Sequence, residues 1–296
     1  MKITADLKIS VIILSLNAGE NLNTLLDAVY GQSLPPYEVI VVDSESEDNT
    51  VAIAESYGAM VYTIKRCEFN HGGTRDYAMR QSKGDWVLFL TQDAVPSEPT
   101  LLEKMAEMME ENEQMAAVYA RQIPREDATY MECLIREFNY PSESHVYCKE
   151  DIVAHGIKTF FMSDVCAMYR KHVYFKLGGF ERDVKTNEDM LYAAKAIHNG
   201  YSIGYEAAAS VLHSHNFSLK EQFKRNYLQG YEIERHRKIL TADSQNSEGI
   251  KLVKYVSREM LSRGKLFHWI YFGFDCVARY LGSHMGKQRA AKGQSE

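Results

Sequence analysis

Strands and helices alternate through the first ninety residues, and this alternation restricts the possible folds more than any other feature of the sequence. Residues 9–16 and 38–43 are short apolar runs of the kind found in buried parallel strands. Between them, apolar side chains in residues 22–29 recur at the spacing of one helical face. Further strands are predicted at 59–64 and 86–90. This alternation predicts an α/β fold with a doubly wound, mostly parallel, Rossmann-like sheet flanked by helices.

The rest of the chain is less regular. Residues 123–160 lack clean periodicity and contain Pro124 and Pro141, so we expect an irregular insert there. A long, charged helix is predicted at 219–239. After about residue 250 the sequence is amphipathic and helical in pattern. The prediction is therefore one α/β domain with a C-terminal helical extension.

Charge and cysteine usage restrict the class of protein. The formal net charge is −6, which argues against a nucleic-acid partner. From Lys251 to Glu296 there are nine Lys and Arg residues against three Asp and Glu, so a basic tail follows an acidic body. The five cysteines are irregularly spaced and form no C-x-x-C pair, which favours a reducing compartment. Neither a signal peptide nor an apolar run of membrane-spanning length is evident, so we expect a cytoplasmic protein.

Polar side chains stand where the four predicted strands end. In open α/β sheets, ligands bind beyond the carboxyl ends of the strands. Collected at one edge, such residues would suit a phosphorylated ligand. They are Ser15 and Asn17, Asp43, Lys65 and Arg66, and Gln92 and Asp93.

Two of these strand ends carry carboxylates with possible ligand roles. Asp43 opens an acidic stretch, residues 43–50, in which it would accept hydrogen bonds from a nucleotide, although a plain acidic loop capping a helix fits equally well. Asp93 follows residues 90–92 and would hold Mg²⁺ or Mn²⁺ against a diphosphate. An ordinary Asp in a strand–helix turn is the alternative.

Three further segments are chemically suggestive. The pair Glu188 and Asp189 suits a general base, although residues 186–189 also have the spacing of a helix capping box. In the run 213–215 two histidines lie at strand spacing, and one or both would contact a metal or phosphate unless they are ordinary surface or core histidines. Residues 70–76 combine two glycines with Arg75, a pattern that allows close approach to a phosphate but also occurs in ordinary turns.

Taken together and in this order, these segments resemble the family 2 glycosyltransferases of the GT-A fold, most closely the bacterial rhamnosyltransferases of cell-surface polysaccharide synthesis. The resemblance covers roughly residues 8–240. Residues 69–75, Phe-Asn-His-Gly-Gly-Thr-Arg, are the most specific to the rhamnosyl subgroup. The other motifs are Val11-Ile12-Ile13 with Asn17, residues 41–50, residues 91–94, Ser163-Asp164, Gly178-Gly179-Phe180, Glu188-Asp189, and His213 with His215.

The resemblance implies a role for each matching position. Asp189 would be the catalytic base with Glu188 beside it, and Asp164 and Glu188 would contact the acceptor. Asp93 and His215 would hold Mg²⁺ or Mn²⁺. Thr91-Gln92-Asp93 stands where the family has a D-x-D element, and Thr91 replaces its first acid, so the resemblance does not imply the ribose or metal contact that this acid usually makes. The donor would be bound by Ser15, Asn17, Asp43, Ser44, Arg75, Gln92 and Asp93.

The resemblance also implies the domain plan and the partners. Residues 1–240 would form the GT-A domain, with a nucleotide-sugar-binding half at 1–122 and an acceptor and catalytic half at 123–240. Residues 241–296 would form the basic, amphipathic helical region. The protein would be an inverting, metal-dependent hexosyltransferase that moves L-rhamnose from dTDP-rhamnose to a glycan or lipid-linked saccharide. It would lie at the inner face of the cell membrane through its tail, and a homodimer is left open.

Two other functions fit parts of the sequence. A sugar-1-phosphate nucleotidyltransferase has a similar Gly-Gly-Thr-Arg loop, but after its first strand and before a Pro-Lys, whereas residues 72–75 follow the third predicted strand. A non-catalytic scaffold that binds nucleotide sugars is the second alternative, because the first acid of the D-x-D element is missing. Turnover of a donor with metal discriminates between scaffold and enzyme.

Overall fold

The computed structural model of the chain describes residues 7–240 and 245–293. Within these ranges nine strands form one sheet. The strands are β1 (Ile9–Ser15), β2 (Glu38–Asp43), β3 (Met60–Thr63), β4 (Trp86–Thr91), β5 (Val95–Pro96), β6 (Met115–Ile123), β7 (His145–Tyr147), β8 (Cys166–Arg170) and β9 (Ser202–Leu212). The helices of the same ranges are α1 (Leu22–Tyr30), α2 (Thr50–Ser56), α3 (His71–Gln81), α4 (Leu101–Glu110), α5 (Tyr130–Asn139), α6 (Ile152–His155), α7 (Lys171–Lys176), α8 (Glu188–His198), α9 (Leu219–Arg235), α10 (Gln245–Ser262) and α11 (Leu266–Gly293).

The sheet is parallel in its first half and mixed in its second. Its strand order is β3-β2-β1-β4-β8-β6-β9-β5, and β7 pairs with β9. The strands β3, β2, β1 and β4 are mutually parallel, as the strand–helix alternation predicts. Strand β8 then runs antiparallel to both β4 and β6. The predicted α/β class is confirmed, and the parallel part is confined to the strands that the repeated units build.

Apolar side chains on both faces of the sheet hold it between helices. Within β1, Val11 and Ile13 belong to one buried cluster, whereas Ile12 belongs to the cluster on the opposite face. Each of these side chains is fully buried. Burial of a side chain of this size stabilises the fold by roughly 1.5–3 kcal/mol. The continuous apolar run therefore arises because both faces of the strand are covered.

The expected irregular insert at 123–160 contains a regular helix, α5. It begins after Thr129, whose hydroxyl accepts a hydrogen bond from the backbone N–H of Glu132 at 3.3 Å. Its buried side chains pack against α10 and α11, with Val256, Met260 and Phe272 in the shared cluster. This face is completed by residues more than 100 positions along the chain, so the local pattern did not reveal it.

The C-terminal region is helical, as predicted, and α11 packs along α9. Gly282 and Gly286 allow the two backbones to approach closely, since a Cβ at Gly286 would lie 2.1 Å from the Tyr227 carbonyl oxygen. The predicted boundary between 240 and 241 adjoins residues 241–244, which lie outside the described ranges. Among the described helices, none is long and apolar enough to cross a membrane.

Candidate active site

A cavity of about 250 Å³ opens where β1, β2 and β4 end. We call it the strand-end cavity. Its position beyond the carboxyl ends of parallel strands is the expected one for a ligand of an open α/β sheet. It adjoins the N-terminus of α3, where free backbone N–H groups favour an anion. The polar residues in its wall are Ser15, Ser44, Arg66, His71, Arg75, Thr91 and Gln92.

Asp43 and Asn17 shape this cavity from behind its wall. The Asp43 carboxylate is buried and accepts hydrogen bonds from the Ser15 hydroxyl at 3.3 Å and the Ser46 N–H at 2.8 Å. Asn17 adopts a positive φ of 50°, and its side-chain oxygen accepts from the Glu47 N–H at 2.8 Å. Both residues join the end of β1 to the loop after β2, so they fix the backbone around the cavity.

Gln92 ties the ends of β1 and β4 together. Its amide oxygen accepts from the Leu16 N–H at 2.7 Å, and its amide nitrogen donates to the Leu16 carbonyl at 3.1 Å. Because both ends of the amide are engaged, Gln92 positions the wall of the strand-end cavity and leaves the next residue, Asp93, to face the histidines.

Asp93, His213 and His215 form a compact cluster of metal-ligating groups, here called the Asp-His-His cluster. One ligand atom from each lies within 4.8 Å of the other two. Asp93 Oδ2 lies 3.4 Å from His213 Nε2 and 3.5 Å from His215 Nε2. Burial opposes the charge on Asp93, but the hydrogen bond and positive charge of His213 lower the pKa of its carboxyl below the usual range. Sequence reasoning assigned Asp93 and His215 to the metal and left open whether His213 takes part; the structure brings all three together.

The donor set of this cluster fits a divalent metal. One carboxylate oxygen and two imidazole nitrogens are three ligands, which leaves coordination positions for phosphate oxygens. The other ring nitrogen of His213, Nδ1, lies 3.0 Å from the Gln122 side-chain oxygen, which orients the ring toward Asp93. Two imidazoles suit Mn²⁺ better than Mg²⁺, because Mg²⁺ prefers oxygen ligands.

A second cavity, of about 410 Å³, contains three carboxylates around one guanidinium. We call it the carboxylate cavity. Arg75 Nη1 donates to Glu188 Oε1 at 2.9 Å, and Arg75 Nε lies 3.3 Å from Asp164 Oδ2. All three side chains are buried. Asp164 also accepts a hydrogen bond from the Tyr169 hydroxyl. Arg75 is therefore engaged with carboxylates, and it also lines the strand-end cavity, so its expected place near a diphosphate stays a prediction.

Asp189 lies in the same cavity, less buried than the other two carboxylates. Its Oδ1 accepts from the Met190 N–H at 2.7 Å and its Oδ2 from the Asp164 N–H at 3.2 Å. Asn187, in the left-handed conformation with φ 66°, begins the helix without a side-chain cap. The capping box that the spacing of residues 186–189 allowed is thus not formed, and Asp189 lies in the wall of the carboxylate cavity.

Burial sets the protonation of these carboxylates. Burial first, and then the negative charge of Glu188, raise the pKa of Asp189 to about 6. Burial also raises the pKa of Asp164 well above its usual range, although the Arg75 cation opposes this. A carboxylate with a pKa near 6 takes up a proton readily near neutral pH, which is the property of a general base.

His71 and the glycines beside it have roles that the sequence reading did not assign. His71 lines both the strand-end and the carboxylate cavities. Burial, and then the Arg75 cation, lower its pKa to about 4, so the imidazole is neutral at pH 7. A Cβ on Gly72 would lie 2.3 Å from the Glu181 carbonyl oxygen. That glycine admits a neighbouring loop rather than a ligand.

Comparison with known proteins identifies the family. Residues 10–178 match the profile described as "Glycosyl transferase family 2". The chain belongs to this family. This glycosyltransferase is 40% identical over 223 residues to the "O-antigen chain rhamnosyltransferase RfbN" of Salmonella typhimurium, an alignment that covers 75% of this chain and 71% of the relative. It is also 40% identical over 220 residues to the "O-antigen chain rhamnosyltransferase WbaN" of Salmonella anatum, covering 74% and 70% of the two chains.

Solved structures support the GT-A-like fold of this family 2 glycosyltransferase. The mannosyltransferase PcManGT from Pyrobaculum calidifontis, in complex with GDP-Man and Mn²⁺, superposes with a TM-score of 0.65 at 15% identity, covering 95% of this chain and 88% of that one. S. aureus TarS 1–349 in complex with UDP-GlcNAc superposes with a TM-score of 0.57 at 18% identity, covering 97% and 92%. At these identities the likeness concerns the fold.

Proposed function

We propose that this glycosyltransferase moves L-rhamnose from dTDP-rhamnose to a hydroxyl of a saccharide acceptor, with inversion at the anomeric carbon, in the synthesis of cell-surface polysaccharide. The observation that carries the reaction type is Asp189, a carboxylate with a raised pKa at the wall of a cavity that adjoins the strand-end cavity. Support for the rhamnosyl donor comes from the two O-antigen rhamnosyltransferases that are 40% identical to this chain.

In the proposed mechanism the Asp189 carboxylate takes the proton from the acceptor hydroxyl. The hydroxyl oxygen forms a bond to the anomeric carbon, and the bond between that carbon and the diphosphate oxygen breaks. Its electron pair leaves with the nucleoside diphosphate. Arg75 and Glu188 act as positioning residues, because their ion pair holds the start of α8 and so the carboxylate of Asp189. The neutral His71 lies between the two cavities without adding a charge to either.

Asp93, His213 and His215 would hold the divalent metal, which supplies positive charge beside the departing diphosphate. Asp43 and Asn17 would order the loop around the nucleotide, and Ser15, Ser44 and Gln92 would line its site. The missing first acid of the D-x-D element is compensated in this arrangement by two histidines. That completeness of the ligand set favours an enzyme over a non-catalytic scaffold.

The test of the donor and of the reaction is release of nucleoside diphosphate from a panel of nucleotide sugars, with Mn²⁺, with Mg²⁺ and with chelator. We expect dTDP-rhamnose to be turned over in the presence of metal, with membrane extract as a source of acceptor. Turnover of another nucleotide sugar in preference would contradict the donor assignment. Binding of dTDP-rhamnose without turnover under all these conditions would support the scaffold.

The C-terminal region supports the expected site of action at the inner face of the membrane. One side of α11 exposes a line of apolar residues, including Phe274, Val277 and Leu281, while its other side packs on α9. Basic residues are in excess from position 251 onward. Exposed apolar side chains beside positive charge suit an anionic lipid surface. A second copy of the chain is the other occupant that this face would accept.

A further inference from the structure

A third cavity, of about 550 Å³, lies outside both cavities of the proposed reaction and is larger than either of them. It is lined by α5, the loop after β9, the first turn of α9 and the start of α11. We call it the apolar cavity. Met131, Phe217, Phe267 and Tyr271 supply its apolar walls. Its volume is within the range of small-molecule sites.

Two pairs of polar groups in the wall of the apolar cavity are hydrogen-bonded to each other. The Asn216 side-chain oxygen accepts from the Thr129 N–H at 2.8 Å. Ser218 and Glu221 form a reciprocal capping box at the start of α9. Among the described residues, the buried Tyr130 hydroxyl in this wall has no hydrogen-bond partner, and His215 of the Asp-His-His cluster also lies in the wall. Apart from these two groups, the surface left for a ligand is mainly apolar.

One cation stands between the apolar cavity and the carboxylate cavity. Arg225 lines the carboxylate cavity, and its guanidinium lies 5.2 Å from the centre of the Phe217 ring, which lines the apolar cavity. The centre of the Phe217 ring in turn lies 4.9 Å from the centre of the His215 ring in the Asp-His-His cluster. Across residues 7–240 and 245–293, Arg225 forms no salt bridge. The nearby cation Arg136, by contrast, is paired with Glu132 at 2.7 Å. A guanidinium without a carboxylate partner is suited to a phosphate.

We propose that the apolar cavity binds the hydrocarbon chain of the acceptor and that Arg225 binds the phosphate that links this chain to the saccharide. This inference rests on the proposed function, since it takes the saccharide to lie beside Asp189. The order of the three sites follows the order of such a molecule: carboxylates for the sugar hydroxyl, a cation for the phosphate, and apolar walls for the chain. At the rim Phe267 is 85% exposed, so the chain would leave the cavity beside the exposed face of α11.

The test uses farnesyl phosphate as the probe, with farnesol and inorganic phosphate for comparison, and measures binding to the full-length protein by calorimetry. We expect Arg225→Gln to weaken farnesyl phosphate about tenfold or more, because a charged hydrogen bond is lost, and to leave farnesol binding unchanged. Phe267→Ser should weaken both farnesyl ligands about threefold or more, because apolar contact area is lost. Arg225 and Phe267 are both exposed, so we expect the two variants to fold, and a loss of binding would not be explained by misfolding.

Matched controls lie on the same two helices. Lys224→Gln removes one positive charge from α9 beside Arg225, and Tyr280→Ser removes an exposed aromatic from α11 outside the cavity. Neither should change binding. Equal losses from Lys224→Gln and Arg225→Gln, or from Tyr280→Ser and Phe267→Ser, would overturn the proposal, as would inorganic phosphate competing as well as farnesyl phosphate.

The outcome is separable from that of the donor assay. Binding of farnesyl phosphate with the expected variant pattern, but no turnover of dTDP-rhamnose, would refute the donor assignment and leave the site standing. Turnover of dTDP-rhamnose together with no binding of farnesyl phosphate would support the proposed function and overturn this site.

Discussion

At the scale of single residues, the candidate site depends on how few positive charges face its carboxylates. Arg75 pairs with Glu188 at 2.9 Å and lies 3.3 Å from Asp164. Within the described part of the chain, the hydrogen bonds that Asp189 accepts come from the backbone N–H groups of Met190 and Asp164. The Arg75 guanidinium is thus closest to Glu188 and Asp164 and is not paired directly with Asp189. Asp189 keeps the raised pKa that a general base needs.

The first prediction concerns Asp189→Asn. General-base catalysis contributes typically 10²–10⁴-fold, so kcat should fall by about 10³-fold while dTDP-rhamnose binds with unchanged affinity. Steady-state kinetics and calorimetric titration of the donor measure the two quantities. Asp183→Asn, which neutralises an exposed carboxylate on the loop before α8, is the matched control and should leave kcat unchanged. A variant that loses donor affinity as strongly as kcat would contradict the assignment.

The second prediction concerns pH. Burial and the charge of Glu188 raise the pKa of Asp189 to about 6, and the base acts only when unprotonated. The value of kcat/KM should therefore be constant above this pKa and fall about tenfold per pH unit below it. Glu188→Gln removes the neighbouring negative charge, so it should move the acid limb to lower pH. An acid limb that stays in place in Glu188→Gln would show that another group titrates.

The third prediction concerns the Asp-His-His cluster. His213→Ala and His215→Ala should each weaken Mn²⁺ binding at least about tenfold, because one of three protein ligands is removed. The electron paramagnetic resonance signal of free Mn²⁺ measures this affinity. The wild-type protein should prefer Mn²⁺ to Mg²⁺ because two of its ligands are imidazoles. His172→Ala, at an exposed histidine of α7, is the control. Unchanged Mn²⁺ affinity in both cluster variants would place the metal elsewhere.

Part of this site was predictable residue by residue and part was not. Asp93 and Asp189 stand out because each follows a recognisable strand or begins a helix, and the family resemblance supplies their roles. The ion pairs of Arg75 were not predictable, because its carboxylate partners lie 89 and 113 positions away and only folding brings them together. Arg225 lay inside a charged helix where nothing in the local pattern separates it from Lys224.

At the scale of elements, the parallel strands and their helices follow from local pattern, whereas the antiparallel insertion of β8 does not. Strands β1, β2 and β4 are buried on both faces, and their continuous apolar runs predict this burial. In the second half of the sheet, the direction of β8 is set by its pairing with β4 and β6, which is a tertiary contact that the local sequence does not contain. Helix α5 was missed for the same reason, because its buried face is completed by α10 and α11.

The fourth prediction tests the packing of α11 on α9. Gly286→Val would place a Cβ 2.1 Å from the Tyr227 carbonyl oxygen, so the helices must separate. Overpacking of this kind costs about 1–3 kcal/mol, and we expect a lower free energy of unfolding in urea titration. Gly273→Ala lies in the same helix with nothing within 4 Å of the added Cβ. It should stabilise the protein by about 0.4–1 kcal/mol, and equal effects of the two changes would contradict the close packing.

At the scale of the whole molecule, charge and apolar surface are arranged for contact along α10 and α11. The full chain has a formal net charge of −6, yet residues 251–296 carry nine Lys and Arg against three Asp and Glu. On α11 the exposed apolar positions Ile270, Phe274, Val277 and Leu281 follow one another at intervals of three and four residues. This spacing places them along one side of the helix, opposite Gly282 and Gly286.

The last prediction is that this side of α11 binds anionic vesicles. Full-length protein should pellet with vesicles containing phosphatidylglycerol at low salt, and less at high salt, because the basic residues contribute about 1 kcal/mol each near such a surface. Changing Phe274 and Leu281 together to Ser should reduce pelleting at both salt concentrations, since apolar burial is insensitive to screening. Tyr37→Ser, an equally exposed aromatic on the body of the protein, should have no effect.

Sedimentation equilibrium separates this from self-association. If the same double change converted a dimer to a monomer and left vesicle binding intact, the face would bind a second copy and the membrane contact would be refuted. If it reduced vesicle binding without changing the mass, the face that contacts lipid would begin at Phe267, the residue that also forms the rim of the apolar cavity. The chain of a lipid-linked acceptor would then pass from the bilayer into the cavity, and the same surface that binds the enzyme to the membrane would present its substrate.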